Sequence, residues 1–351
     1  MLLSFREGGA YNRSAMGTNG HIKAAIDAGA AAGAETPAAT QAAGPKRNRR
    51  VPVGVYKLLL VFATIIWGLS FVVMKDTVDV LEPAYLIGFR FLACGVLLSA
   101  LFFRRMRATF SRDMVAKGAV LGVLIFLAFW VQTIGIANTT PGKNAFLTAT
   151  YCVIVPFAWW VLARKRPTMF NLIAAVLCVA GIGLVSLVGS VGAFSMGYGD
   201  FMTLVSAFIF AVHIVYVAKF SEGRDVIVLT VYQFLFGGVC GIALGACTET
   251  LPPASALTPD FWFNMFYLVI FASCIALLIQ NVALAHVPPA QASLFLSLES
   301  VFGVLFSVLL YGEELGLRLI IGFALILAAI IVSETFPIKE LPWEKEKITS
   351  S

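Results

Sequence analysis

Pro289-Ala-Gln-Ala-Ser-Leu-Phe-Leu-Ser-Leu-Glu299-Ser-Val-Phe-Gly-Val-Leu-Phe-Ser-Val-Leu-Leu-Tyr311 is an apolar run broken by a single carboxylate. A helix rises 1.5 Å per residue, so a hydrocarbon layer of about 30 Å takes about 20 residues to cross. The run is long enough for one transmembrane helix, with Glu299 near its middle. An ionised carboxylate at that depth costs several kcal/mol unless it is paired or faces water, and its presence points to a functional site.

The same reading extends outward from this segment. From Tyr56 to Glu334 the chain is a series of apolar runs separated by charge, Pro and Gly. Spans are expected near 56–75, 83–103, 116–137, 143–163, 168–189, 199–219, 226–247, 261–282, 289–311 and 315–334. Two charge-free stretches, Pro167–Gly199 and Phe261–Leu298, exceed one span, and each needs an internal turn: Gly189 to Gly197 and Ala285 to Pro289. The sequence therefore predicts an all-α membrane protein of ten transmembrane helices, with a count of nine the alternative.

Composition agrees. Hydrophobic residues make up 60% of the 351 residues and charged residues only 13%, against about 25% charged in a soluble domain. Lipid must be the solvent for most of such a chain. The net charge of +6 sits in short clusters between apolar runs, without the basic stripe of a nucleic-acid-binding protein. The six cysteines lie almost entirely within apolar runs, with no C-x-x-C and no Cys/His spacing, so neither a disulfide framework, a metal site nor a cofactor is expected. Residues 1–50 read as a disordered cytoplasmic tail, rich in Ala, Gly, Thr and Pro, with no signal-peptide core. Met1 and Met16 both remain possible starts, and 335–351 read as a C-terminal tail.

With ten spans, one side collects Lys46, Arg47, Arg49, Arg50, Arg104, Arg105, Arg107, Arg112, Arg164, Lys165, Arg166, Lys219, Arg224 and the tail lysines. The other side receives Lys75, Lys143 and Arg318. Cytoplasmic loops carry the excess of Lys and Arg, which places both termini in the cytoplasm and the chain in the plasma (inner) membrane.

The two halves echo each other. Asn144-Ala-Phe-Leu-Thr-Ala-Thr-Tyr151 resembles Gln291-Ala-Ser-Leu-Phe-Leu-Ser-Leu298, and a charged turn follows each span (Arg164-Lys165-Arg166; Glu313-Glu314). Five spans per half invert the second half, at 199–334, relative to the first, at 56–189. Inverted repeats hold their solute near the midplane between halves, where rocking exposes it to either face.

Trp67-Gly-Leu-Ser-Phe71, Arg90-Phe-Leu92, Gly199-Asp200, Leu298-Glu299-Ser-Val-Phe302 and Gly312-Glu313, in that order and spacing, resemble the EamA-like ten-helix permeases of the drug/metabolite transporter superfamily. Ser300 stands where many of those permeases have Pro, and Arg-Lys-Arg-Pro167 stands where others have Gly-Glu-Arg-Pro. The resemblance implies a permease that exports or exchanges small metabolites such as amino acids, driven by an ion gradient or by exchange. The absence of a P-loop agrees.

Candidate solute- or ion-binding residues follow from depth and polarity. Glu299 and Arg90 differ in depth by only about 6 Å, and either pair directly or divide solute binding and proton titration between them. His213 titrates near neutral pH if water reaches it, or else hydrogen-bonds a neighbouring helix. Gln132, Tyr151, Gln280 and Asn281, with Tyr232 and Gln233, either line a cavity or join helices. Trp67 and Trp130 lie deep enough to wall a cavity, whereas Trp159, Trp160 and Trp262 suit an interfacial belt. Lys143 and Asn144 read as an interfacial anchor, and Asp200, Asp260 and Glu82 as helix caps.

The competing functions are a membrane-embedded enzyme or a flippase acting on a lipid-linked substrate, and a channel. An enzyme needs clustered His, Asp, Glu or Cys at one membrane face, and a channel needs rings of like residues; neither pattern is present. The expected partners are a small solute, the bilayer and a coupling proton, with no nucleic acid; monomer and homodimer stay open.

Overall fold

A computed structural model describes residues 52–164, 167–188, 195–287 and 289–335. The expected tails, apart from residue 335, and most of the Gly189–Gly197 turn lie outside these residues. So do Lys165 and Arg166.

Fourteen α-helices run through the described residues: α1 (Val53–Val78), α2 (Pro83–Leu101), α3 (Phe103–Ala108), α4 (Arg112–Ala137), α5 (Pro141–Ala149), α6 (Tyr151–Ala163), α7 (Met169–Ser186), α8 (Tyr198–Ser221), α9 (Val226–Thr248), α10 (Pro259–Tyr267), α11 (Ala276–Leu284), α12 (Pro289–Leu296), α13 (Leu298–Phe306) and α14 (Leu317–Thr335). Two π-helical stretches, Leu268–Ile275 and Ser307–Tyr311, follow α10 and α13. A two-residue antiparallel ladder, β1 (Leu187–Val188) with β2 (Ser195–Met196), brackets the turn before α8.

Seven helical segments are long and apolar enough to cross a membrane; Pro141–Leu162 and Pro259–Leu284 are two of them. Three shorter apolar helices, Met169–Val185, Leu298–Tyr311 and Leu317–Val332, occupy the fifth, ninth and tenth expected spans.

Local chemistry sets the helix starts. Ser111 accepts the amide of Met114, Thr258 that of Phe261, and Asp225 those of Ile227 and Val228. Each cap satisfies amides that the first turn leaves open. Pro83, Pro141 and Pro259 stand at first-turn positions where no amide donor is needed.

Two spans break near their middles. The fourth divides at Thr150 between α5 and α6, and the ninth at Ser297 between α12 and α13. The Thr150 hydroxyl donates to the carbonyl of Leu147 (2.6 Å), the kind of local bond that competes with the helical ladder.

The principal packing pairs are α2 with α9, α7 with α14, α4 with α8 and α9, and α1 with α13 and α11. Glycine makes five of these crossings close, α2–α9 and α7–α14 among them. A Cβ on Gly241 would lie 2.5 Å from the Cα of Gly88, and one on Gly181 would lie 2.9 Å from the carbonyl of Gly322. Such small-residue contacts let backbones meet where burial against lipid gives little driving force.

The ends of the bundle differ in charge. At one, ion pairs join Arg105 to Asp225 and both Lys117 and Arg224 to Asp113. The other carries Lys75, Lys143, Asp200, Glu249 and Glu313.

Candidate functional site

Between the helices lies a narrow cavity of about 40 Å³ with walls from α1, α2, α4, α5, α6, α8, α11 and α13. Six of the nine residues that the sequence singled out meet there: Trp67, Arg90, Gln132, Tyr151, Gln280 and Glu299.

Arg90 is fully buried. Its Nε donates to Ser273 Oγ (2.5 Å) and its Nη1 points to the Met74 sulfur at 3.4 Å. Its guanidinium lies 4.8 Å from the centroid of the Phe129 ring, within reach of a cation–π interaction. Nη2 has no partner. Ser273 is held in turn by the π-helical stretch, its hydroxyl donating to the carbonyl of Leu268 five residues back (2.9 Å). Trp67 Nε1 pins the same stretch through the carbonyl of Ala272 (2.9 Å).

Glu299 sits two residues past the Ser297 break and Tyr151 one residue past the Thr150 break. The Tyr151 and Glu299 side chains line the same cavity, and Glu299 Oε1 has no partner. The direct Arg90–Glu299 pair offered as one reading of the sequence does not form, because Arg90 spends its bonded nitrogens on Ser273 and Met74. Both charges face the same cavity instead. Aromatic rings link them: Phe129 meets Phe210 edge-on at 5.0 Å, and Phe210 lies 6.3 Å from Tyr151. Gln132 Nε2 donates to Thr148 Oγ1 (3.0 Å) on the cavity wall. The arrangement offers one open guanidinium nitrogen and one open carboxyl oxygen across an aromatic surface.

The other three candidates lie elsewhere. Trp130 is one helix face away from Gln132 and stacks on Phe126. His213 and Asn281 stand behind the wall, in a polar cluster joining α8, α9 and α11. Its proton order follows from its bonds. Thr230 gives its proton to the carbonyl of Val226 (2.8 Å), so it accepts from Asn281 Nδ2 (3.0 Å). Asn281 Nδ2 also reaches Gln233 Oε1 (3.3 Å), which leaves that oxygen to accept from His213 Nε2 (3.1 Å). His213 is thereby assigned the Nε2–H form.

Lys143, Asn144 and Asp200 do more than anchor and cap. Lys143 forms an ion pair with Asp200 (2.6 Å), and Asn144 Nδ2 donates to Thr203 Oγ1 (2.7 Å). Residues missed in the sequence include Phe71, Met74, Phe129, Phe210 and Ser273. Apolar residues and one serine in apolar helices carry no signal that separates cavity wall from lipid contact.

The sequence profile of the EamA-like transporter family matches residues 55–187 and 197–335. An uncharacterized transporter of Archaeoglobus fulgidus is 26% identical over 280 residues, 78% of this chain and 83% of that relative. A S-adenosylmethionine/S-adenosylhomocysteine transporter of Chlamydia muridarum is 23% identical over 303 residues, 81% of this chain and 93% of that one. The inner membrane transporter YedA of Escherichia coli strain K12 is 26% identical over 255 residues, 72% of this chain and 81% of that one. A solved crystal structure aligns with 80% of this chain and 97% of its own, with a TM-score of 0.60 at 16% identity, a likeness of fold.

Proposed function

The chain belongs to the EamA-like transporter family of multi-pass membrane proteins that carry small solutes, and from that premise we propose a secondary transporter that moves a zwitterionic, amino-acid-like solute by alternating access. The solute carboxylate meets Arg90, its ammonium meets Glu299, and its body lies on Trp67, Phe129 and Phe210. One observation carries the reading: Arg90 Nη2 and Glu299 Oε1, a guanidinium nitrogen and a carboxyl oxygen, are both buried and both unpartnered on one cavity. Buried charged groups left unpaired are costly, so a ligand that satisfies both is the economical explanation of their presence.

Packing supports inverted halves. Exchanging each of the first five spans with its counterpart five later turns α1·α13 into α8·(α5, α6) and α4·α8 into (α10, α11)·α1. All of these pairs occur. The same exchange maps α2·α9 and α7·α14 onto themselves. Irregular helical steps fall at corresponding positions of the two repeats, Thr150 and Ser297, beside Tyr151 and Glu299, where inverted halves would place a binding region. Positive loops orient both termini to the cytoplasm.

Proton coupling follows from competition. Glu299 takes a proton when the solute ammonium leaves, so each orientation carries one or the other, which gives exchange. The test is counterflow in proteoliposomes with S-adenosylmethionine, S-adenosylhomocysteine and aromatic amino acids. Saturable, trans-stimulated uptake that Glu299→Gln renders insensitive to pH supports the proposal. Uptake whose pH dependence survives that substitution removes the proton role from Glu299.

A further inference from the structure

The turn between α4 and α5 is gripped from the other half of the chain. Asp200, at the start of α8, is 2% exposed; it pairs with Lys143 (2.6 Å) and accepts the Thr139 hydroxyl (2.7 Å). Glu313, beyond the π-helical end of the ninth span, accepts the Thr140 hydroxyl (2.5 Å) and the Gly142 amide (2.9 Å). Ser307 donates to the same carboxylate (2.5 Å) and itself lies 3.2 Å from the Gly142 amide. Within these contacts the partners are sorted by half. The carboxylates come from the second half. The first half presents Lys143, the open amide at the start of α5, and Lys75, whose Nζ holds the carbonyls of Ile136 and Ala137 (3.0 and 2.9 Å).

These contacts stand above the cavity on three elements at once. At 1.5 Å per residue, Thr140 lies about 12 Å along its span from Thr148, Ser307 about 12 Å from Glu299, and Asp200 about 15 Å from Phe210. The α4–α5 turn and the α8 and α13 ends thus cover the cavity wall that α4, α5, α8 and α13 form. We propose that Asp200 and Glu313 form a releasable latch that closes the cavity at this end, and that its parting is the gating step of transport. The inference rests on the reading of two halves that rock. Glu249 at the same end differs in kind. It caps the amides of Ala84 and Tyr85 (2.7 and 2.8 Å) beside the glycine-packed α2–α9 crossing, where the halves pivot without parting.

The test uses full-length protein in nanodiscs with no solute, so it stands apart from the counterflow that decides the transport reading. Spin labels are attached through Asn138→Cys and Glu314→Cys, both exposed positions, in a background with Cys240→Ser and Cys247→Ser, and double electron–electron resonance reads their separation. Removing a charge-assisted bond should raise the fraction of long separations about tenfold in Asp200→Asn and again in Glu313→Gln, whereas Glu249→Gln leaves the distribution as in the parent. Folded Asp200→Asn and Glu313→Gln proteins with the parental distribution overturn the latch. So does equal widening in Glu249→Gln, which marks general loosening. Hydrogen exchange on the unaltered protein decides the matter should a variant misfold. Slow exchange at Gly142 supports the latch, and exchange as fast as an exposed turn overturns it.

Discussion

Replacing Arg90 with Met isolates the role assigned to its open nitrogen. The substitution keeps an unbranched stem on α2 and removes the charge, the Ser273 bond and the contact with the Phe129 ring. For stability the effects oppose one another. A buried donor without a partner costs about 1–3 kcal/mol, and Arg90→Met relieves it; the lost Ser273 bond and ring contact withdraw a similar amount. The thermal midpoint should therefore stay within about 4 °C of the parent. For binding nothing offsets the loss. A hydrogen bond to a charged group contributes about 1.5–3 kcal/mol, so affinity for a zwitterion should fall by about 10- to 150-fold. Calorimetric titration with a solute and its methyl ester makes the test specific. The parent should prefer the free acid by that factor, and Arg90→Met should bind acid and ester alike. Preference for the acid retained in Arg90→Met, in a protein that still unfolds cooperatively, refutes the assignment of Arg90 to the carboxylate.

Other outcomes follow from the same geometry. Glu299→Gln should equalise binding of a solute and its analogue lacking the ammonium, measured by the same titration. At the α2–α9 crossing, Gly241→Ala drives a Cβ to within 2.5 Å of Gly88 and should cost about 1–3 kcal/mol by thermal unfolding. Gly54→Ala, with nothing within 4 Å, should cost no stability in the same assay. Glu249→Ala strips two amides at the start of α2 of their acceptor and should cost about 1 kcal/mol. Asn281→Leu disconnects Thr230 from Gln233 and should destabilise by about 0.6–1.7 kcal/mol while leaving solute affinity unchanged, since the residue stands behind the cavity wall.

Depth was legible in the sequence; azimuth was not. Glu299 and Arg90 declared themselves because a charge in an apolar run is conspicuous whichever way it points. Gln280 and Asn281 are adjacent, yet about 100° of helical rotation puts the first on the cavity and the second in the His213 cluster. Trp130 and Gln132 are separated by about 200° in the same way. In a soluble helix the polar face would have told them apart, but in a membrane helix lipid and protein interior are both apolar. The breaks at Thr150 and Ser297 were hidden for a related reason: each lies in an uninterrupted run of small and apolar residues with no glycine or proline at the break. Lys143, Asp200 and Glu313 were visible as polar residues at span ends, where hydration is the ordinary expectation. Only their convergence from elements about 60 to 170 residues apart, which the long-range bonds record, gives them a joint role.

The central claim is that a zwitterionic solute occupies the cavity between Arg90 and Glu299 and crosses with the rocking of two halves. Counterflow of labelled zwitterions into proteoliposomes preloaded with the same compound measures this most directly. The predicted result is saturable uptake that is accelerated by solute on the far side, lost in Arg90→Met and made insensitive to pH in Glu299→Gln. Uptake that rises without saturation and ignores preloading, or recovery of the label in a chemically altered product, would contradict it.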